Sequence, residues 1–128
     1  MIRYPALIDG DEGAYGVVFP DIPGVGAMGD TVDEALLNAE DTLRDYAIEA
    51  EKDGEALAEP SPFQAIETPK GSQLTSIPLI RTSGKSVRAG LTLDEGVAEF
   101  IDTEAHRRGM TRKAYITWMA RRIAAMGG

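Results

Sequence analysis

The chain has 128 residues, 43% of them hydrophobic, with no cysteine, one histidine and a net charge of −8. That length holds one ordinary domain or two small ones. The missing cysteines exclude disulfide staples and thiol chemistry. The single histidine argues against a His-built metal site within one chain, and neither a metal nor a cofactor is expected. There is no apolar run long enough to span a bilayer, and M-I-R-Y-P is unlike a signal segment, so the default expectation is a soluble cytoplasmic protein.

Residues 2–9, I-R-Y-P-A-L-I-D, read as a strand, with Pro5 arguing for an edge position or a bulge. The turn from Gly10 to Gly13 makes a hairpin with residues 14–20, A-Y-G-V-V-F-P. The glycines in D-I-P-G-V-G-A-M-G-D imply tight turns around a short third strand near Val25 to Met28. Gly24, Gly26 and Gly29 resemble a phosphate loop only superficially, because the G-K-[ST] step is missing.

Thr31-Val-Asp-Glu34 is a capping box that opens a helix running to about Asp53, with Gly54 as its terminator. Ala35, Leu36, Ala39, Leu43, Tyr46, Ala47 and Ala50 form its apolar stripe, which must cover one face of the strands. Residues 54–76 read as a proline-punctuated loop with a helical turn near Phe63 to Ile66. Ser76 to Ile80 offers a fourth strand, and residues 81–84 a flexible linker.

From Lys85 onward the pattern changes. Val87, Ala89, Leu91 and Leu93 alternate with Ser86, Arg88, Gly90 and Thr92, the period of a strand with one buried face. A first helix follows, capped by Asp94, carrying Val97, Phe100, Ile101 and Ala105, and ended by Gly109. A second starts at Thr111 and carries Tyr115, Met119, Ile123 and Met126. About forty residues cannot bury this apolar surface alone, and a lone strand leaves both edges unpaired. A second copy remedies both. Two strands pair as an antiparallel ribbon, the four alternating apolar residues form the dimer core, and Arg88, Gly90 and Thr92 face outward, where a ribbon fits the DNA major groove.

The charge is split. Residues 1–84 hold 5 Lys+Arg against 16 Asp+Glu, a balance of −11, and residues 85–128 hold 8 against 5, a balance of +3. The basic part suits phosphate. The acidic part suits a basic protein, although acidic surfaces also serve solubility alone.

Two resemblances follow from these residues. V-R-A-G-L-T-L-D, a helix, R-G-M-T-R-K-A-Y and a second helix resemble the ribbon-helix-helix repressors. By position, that likeness implies base contacts from Arg88, Gly90 and Thr92, although Gly90 offers no side chain to a base edge. It also implies a phosphate anchor at Thr111, Arg112 and Lys113, to which Lys85 adds a cation. Y-G-V-V-F-P-D-I-P-G at 15–24 and G-D-T-V-D-E-A-L at 29–36 resemble the HicB antitoxin domain over roughly residues 2–60. This likeness implies a partial ribonuclease-H-like β-β-β-α-β fold. It also implies binding to a small, basic, HicA-like mRNA-cleaving toxin and repression of the shared operon as a homodimer or higher oligomer.

The expected class is therefore α+β, with a toxin-binding domain at 1–80, a linker at 81–84 and a ribbon-helix-helix domain at 85–128. Asp21 and Asp30 are the candidate toxin contacts. No catalytic residue is expected, because Asp9, Asp11, Glu12, Asp33 and Glu34 sit where turn or helix-start chemistry explains them. His106, beside Arg107 and Arg108, reads as a solvated residue, and Trp118 as packing within the helical unit rather than as an interface anchor. The alternative reading is a stand-alone regulator whose first domain senses a ligand or mediates oligomers.

Overall fold

The computed structural model describes residues 2–81 and 87–125. The chain divides into two compact units, Met1–Arg81 with Ile123–Gly128, and Thr82–Arg122. It is an α+β chain.

In the first unit, β1 (Arg3–Asp11), β2 (Ala14–Val18), β3 (Gly26–Gly29), α1 (Val32–Lys52) and β4 (Gln73–Pro78) follow in that order, with a short 3-10 turn at Phe63–Ala65. The four strands form one antiparallel sheet in the order β3-β2-β1-β4. Alternation decides what is buried. Tyr4, Ala6 and Ile8 of β1, Val17 of β2 and Ile77 of β4 point to one face and are buried. Against them α1 lays Ala35, Leu36, Ala39, Leu43 and Ala47, all buried in the same cluster. Each fully buried Leu, Ile or Phe contributes about 1.5–3 kcal/mol, so this single layer of helix on sheet is the main source of stability for the unit.

The ends of α1 are local chemistry. The Thr31 hydroxyl accepts from the Glu34 N–H at 3.1 Å, and Gly54 turns the chain out at φ +69°. Of the three glycines after Pro23, only Gly24 has the positive φ of a turn residue. Gly29 serves a different purpose, because a Cβ there would stand 2.4 Å from the Ala35 nitrogen. It lets β3 press directly onto the first turn of the helix. Glu40 is 2% exposed on α1 and would be costly there unpaired. Arg44, one turn on, provides its ion pair.

Two expectations need correction. Pro5 lies not at an edge but on β1, which is central in the sheet. The reason is in the register. The Leu79 N–H donates to the Ile2 carbonyl, and the β1–β4 ladder continues Arg3↔Pro78, Tyr4↔Ile77, Pro5↔Ser76. Bonded and non-bonded pairs alternate in an antiparallel ladder, so Pro5 and Pro78 both occupy non-bonded positions. The Pro5 nitrogen therefore faces away from β4, on the side where β2 begins pairing only at Leu7↔Val18. The second correction concerns the fourth strand, which begins at Gln73 rather than Ser76, because Gln73 to Thr75 pair with Ala6 to Ile8.

The second unit holds α2 (Glu95–Arg107) and the start of α3 (Arg112–Ala125). Asp94 caps α2 by accepting from the Gly96 N–H at 2.9 Å. Gly109 ends it at φ +67°, with the Met110 N–H reaching back to the Ala105 carbonyl. The Thr111 hydroxyl caps α3 at the Ala114 N–H. Ile101, Ala105 and Tyr115 form its small core. Residues 87–94 make no ladder with any of the described residues. Most of the predicted linker at 81–84, and Lys85, Ser86 and Met126, lie outside the described residues.

Candidate functional site

The expected nucleic-acid surface lies in the second unit. Val87, Ala89, Leu91 and Leu93, the alternating apolar set, all line one open groove of about 1000 Å3, together with Ala98, Ile116 and Thr117 of the two helices. None of the described residues closes the groove. Val87 is 91% exposed, Leu91 62%, and Phe100 on α2 58%. Apolar side chains on this scale in a unit of some forty residues remain in water until something covers them.

Arg88, Arg112 and Lys113 also reach this groove. Gly90 faces open space, since a Cβ there would meet nothing within 4 Å, and Thr92 is exposed. The cations at the start of α3 are not equivalent. Arg112 presents its fork to Asp102 of α2, with Nε and a terminal nitrogen 2.8 and 2.7 Å from the two carboxylate oxygens. The hydrogen bond from Arg112 holds the Asp102 carboxyl below its ordinary range, against an opposing effect of desolvation. Lys113 stays exposed. The Asp102–Arg112 fork was not legible in the sequence, because ten residues and a turn separate the partners.

The cations on α2 and α3 also meet aromatic faces. Trp118 stacks on Tyr115 with centroids 5.6 Å apart. Arg108 lies 5.1 Å and Arg122 5.4 Å from the Trp118 ring, a favourable placement for a cation over an indole. Trp118 thus packs within its own unit, as expected. His106 is exposed, as expected.

In the first unit, the two candidate toxin contacts differ. The Asp21 carboxylate accepts from both the backbone N–H and the hydroxyl of Ser61, at 2.8 and 2.6 Å. It clips the long connection between α1 and β4 to the turn between β2 and β3. Tyr4 and Tyr46 hold the same connection at Ala58. The Tyr4 hydroxyl donates to its carbonyl at 2.6 Å, and its N–H donates to the Tyr46 hydroxyl at 2.9 Å. Burial first, then the neighbouring Tyr46, pushes the Tyr4 phenol up, so it remains a donor. Asp30 is exposed just beyond β3, and its carbonyl accepts from the Gly13 N–H of the β1–β2 hairpin.

Among the described residues, no three His, Asp or Glu side chains converge as a metal site, and no helix is long and apolar enough to cross a membrane.

A family model described as the HicB-like antitoxin of bacterial toxin–antitoxin systems matches residues 4–120. A stretch of 42 residues is 48% identical to Antitoxin HicB 2 of Photorhabdus laumondii, covering 33% of this chain and 30% of that one. The structure resembles the crystal structure of the Burkholderia pseudomallei antitoxin HicB, with a TM-score of 0.57 and 26% identity over 94% of this chain and 97% of that chain. It also shares its fold with a chain of the HicA3–HicB3 toxin–antitoxin complex, with a TM-score of 0.52 and 24% identity, over 60% of this chain and 96% of that chain.

Proposed function

Because the chain belongs to the HicB-like antitoxin family of bacterial toxin–antitoxin systems, we propose that it neutralises a small HicA-type toxin and represses its own operon. The observation that carries this reading is the extent of the family match. It runs through both units, from β1 to within α3.

The first unit is the toxin-binding part. A balance of −11 over residues 1–84 draws in a basic ribonuclease and speeds their encounter. Binding over the RNA-contacting face of the toxin would keep RNA out. Asp30, exposed beyond β3, would make such a contact. Asp21, already held by Ser61, would act there mainly by shaping the loop.

The second unit is the operator-binding part, as a ribbon-helix-helix dimer. Its exposed apolar residues support this reading, since a second copy pairing through residues 87–93 would cover Val87 and Leu91 and supply the missing ladder partner. The dimer would set Arg88 and Thr92 toward base edges, with Gly90 between them leaving room for the groove floor. Arg bonded to guanine is the commonest specific contact of this kind. Lys113, Thr111, Arg112 and Lys85 would position the ribbon on phosphates.

The test is co-expression with the adjacent small open reading frame, followed by pull-down and growth assay. A neighbour that is toxic alone, harmless with this chain and co-purified with it is the expected outcome. A neighbour that neither binds nor harms cells would leave a stand-alone regulator as the better account.

A further inference from the structure

The helix α1 covers only one face of the sheet. The strand registers define the other. Leu7 of β1 lies opposite Val18 of β2 on one side and Leu74 of β4 on the other. Gly16 lies between Asp9 of β1 and Met28 of β3. Directly paired residues share a face, and these alternate with the buried Ile8 and Val17. The two rows therefore belong to the side away from α1. Pro5 and Pro78 on this side are buried, so its open part is the half toward the β1–β2 hairpin.

That half has a definite character. Met28 is 70% and Val18 55% exposed, with half-buried Leu7 and Leu74 continuing the apolar row. Gly16 leaves a flat place between Met28 and Asp9, since a Cβ there would stand 3.4 Å from the Asp9 carboxylate. At the border are carboxylates. Asp9 and Asp11 share this face by alternation, and Asp30 is tied to the hairpin through the Gly13 N–H. All three are exposed. Lys70 is exposed in the turn before β4. An apolar centre with a carboxylate rim is complementary to a partner that has an apolar contact surrounded by lysine and arginine.

We propose that this half-face, centred on Val18 and Met28 and rimmed by Asp9, Asp11 and Asp30, is the docking surface for the basic toxin. The inference rests on the antitoxin reading above and assigns a place to it. The alternative place is the acidic flank of α1, where Asp45, Glu49 and Asp53 border a shallow groove of about 320 Å3. It is less suited, because carboxylates without a broad apolar centre steer a partner more than they hold it.

The test uses the full chain, co-expressed and titrated with the protein made from the adjacent small open reading frame. Val18→Asp and Met28→Asp each should weaken binding by at least about tenfold, the cost of a centrally placed contact. Both side chains are exposed, so melting temperature and operator binding should stay as in the unmodified chain. Asp9→Lys with Asp11→Lys should slow association most at low salt. Glu49→Lys on α1 should leave binding unchanged. Wild-type-like binding by Val18→Asp and Met28→Asp overturns the assignment while leaving the antitoxin reading intact, as does loss of binding in Glu49→Lys alone. If the two aspartate variants instead dissociate the chain from itself in sedimentation, the face is a contact between copies and the assignment falls. Failure of the unmodified chain to bind removes the antitoxin reading and this surface with it.

Discussion

Two side chains carry consequences that depend on their own partners. Asp21 makes two hydrogen bonds to Ser61 from a half-buried position. Asp21→Ala leaves the loop donors without their acceptor, which costs about 1.5–3 kcal/mol for a bond to a charged group. Urea unfolding should show that loss with operator affinity unchanged. A variant of unaltered stability would mean that the clip contributes nothing. Asp102 is lowered below its ordinary value of 3.8 by the Arg112 fork. A depressed carboxyl stabilises the fold above its unfolded value and loses that contribution as pH falls through the folded one. The pair is therefore indifferent to pH near neutrality and releases only in acid. Carbon-detected titration should place the Asp102 midpoint below 3.8, and Arg112→Ala should move it up.

At the level of the element, the helix ends are the most legible feature of the chain. Thr31, Asp94 and Thr111 cap as their spacing predicts, because a cap needs only three or four consecutive residues. Thr31→Ala should cost about 1 kcal/mol, read as a lower melting temperature with the helix content retained below it. Gly29→Ala should cost more. Its methyl group would meet backbone of α1, which cannot swing away as a side chain can. If Gly29→Ala melted like the unmodified chain, the close β3–α1 approach would not be a constraint. The strand β4 was harder to read. Gln73 to Ser76 show no apolar run, and only pairing with β1 makes them a strand.

On the scale of the whole molecule, the proposed division of labour predicts separable losses. Arg88→Ala should weaken specific operator binding by about 1–3 kcal/mol per contact and relax base preference. Lys113→Ala should instead weaken binding to all sequences and reduce the salt slope by about 1. Neither should affect toxin neutralisation. Leu91→Asp places a carboxylate in the apolar ribbon face and should give monomers that do not bind the operator, measured by sedimentation and mobility shift. A monomeric variant that still bound would refute the paired ribbon.

The sequence by itself determined the helices, their caps, the amphipathic stripe of α1 and the two-part charge pattern. These are set by neighbours within a few residues, where periodicity and side-chain chemistry act directly. It also carried the family, through F-P-D-I-P-G and G-D-T-V-D-E-A. Only the tertiary structure decided that β4 closes beside β1, which makes Pro5 central yet tolerated. It alone brought Tyr4 and Tyr46 together on Ala58, Asp21 onto Ser61 and Asp102 onto Arg112. It alone separated the covered face of the sheet from the open one. Each of these joins residues far apart in the chain, and their pairing follows from how the layers pack, which no local pattern encodes.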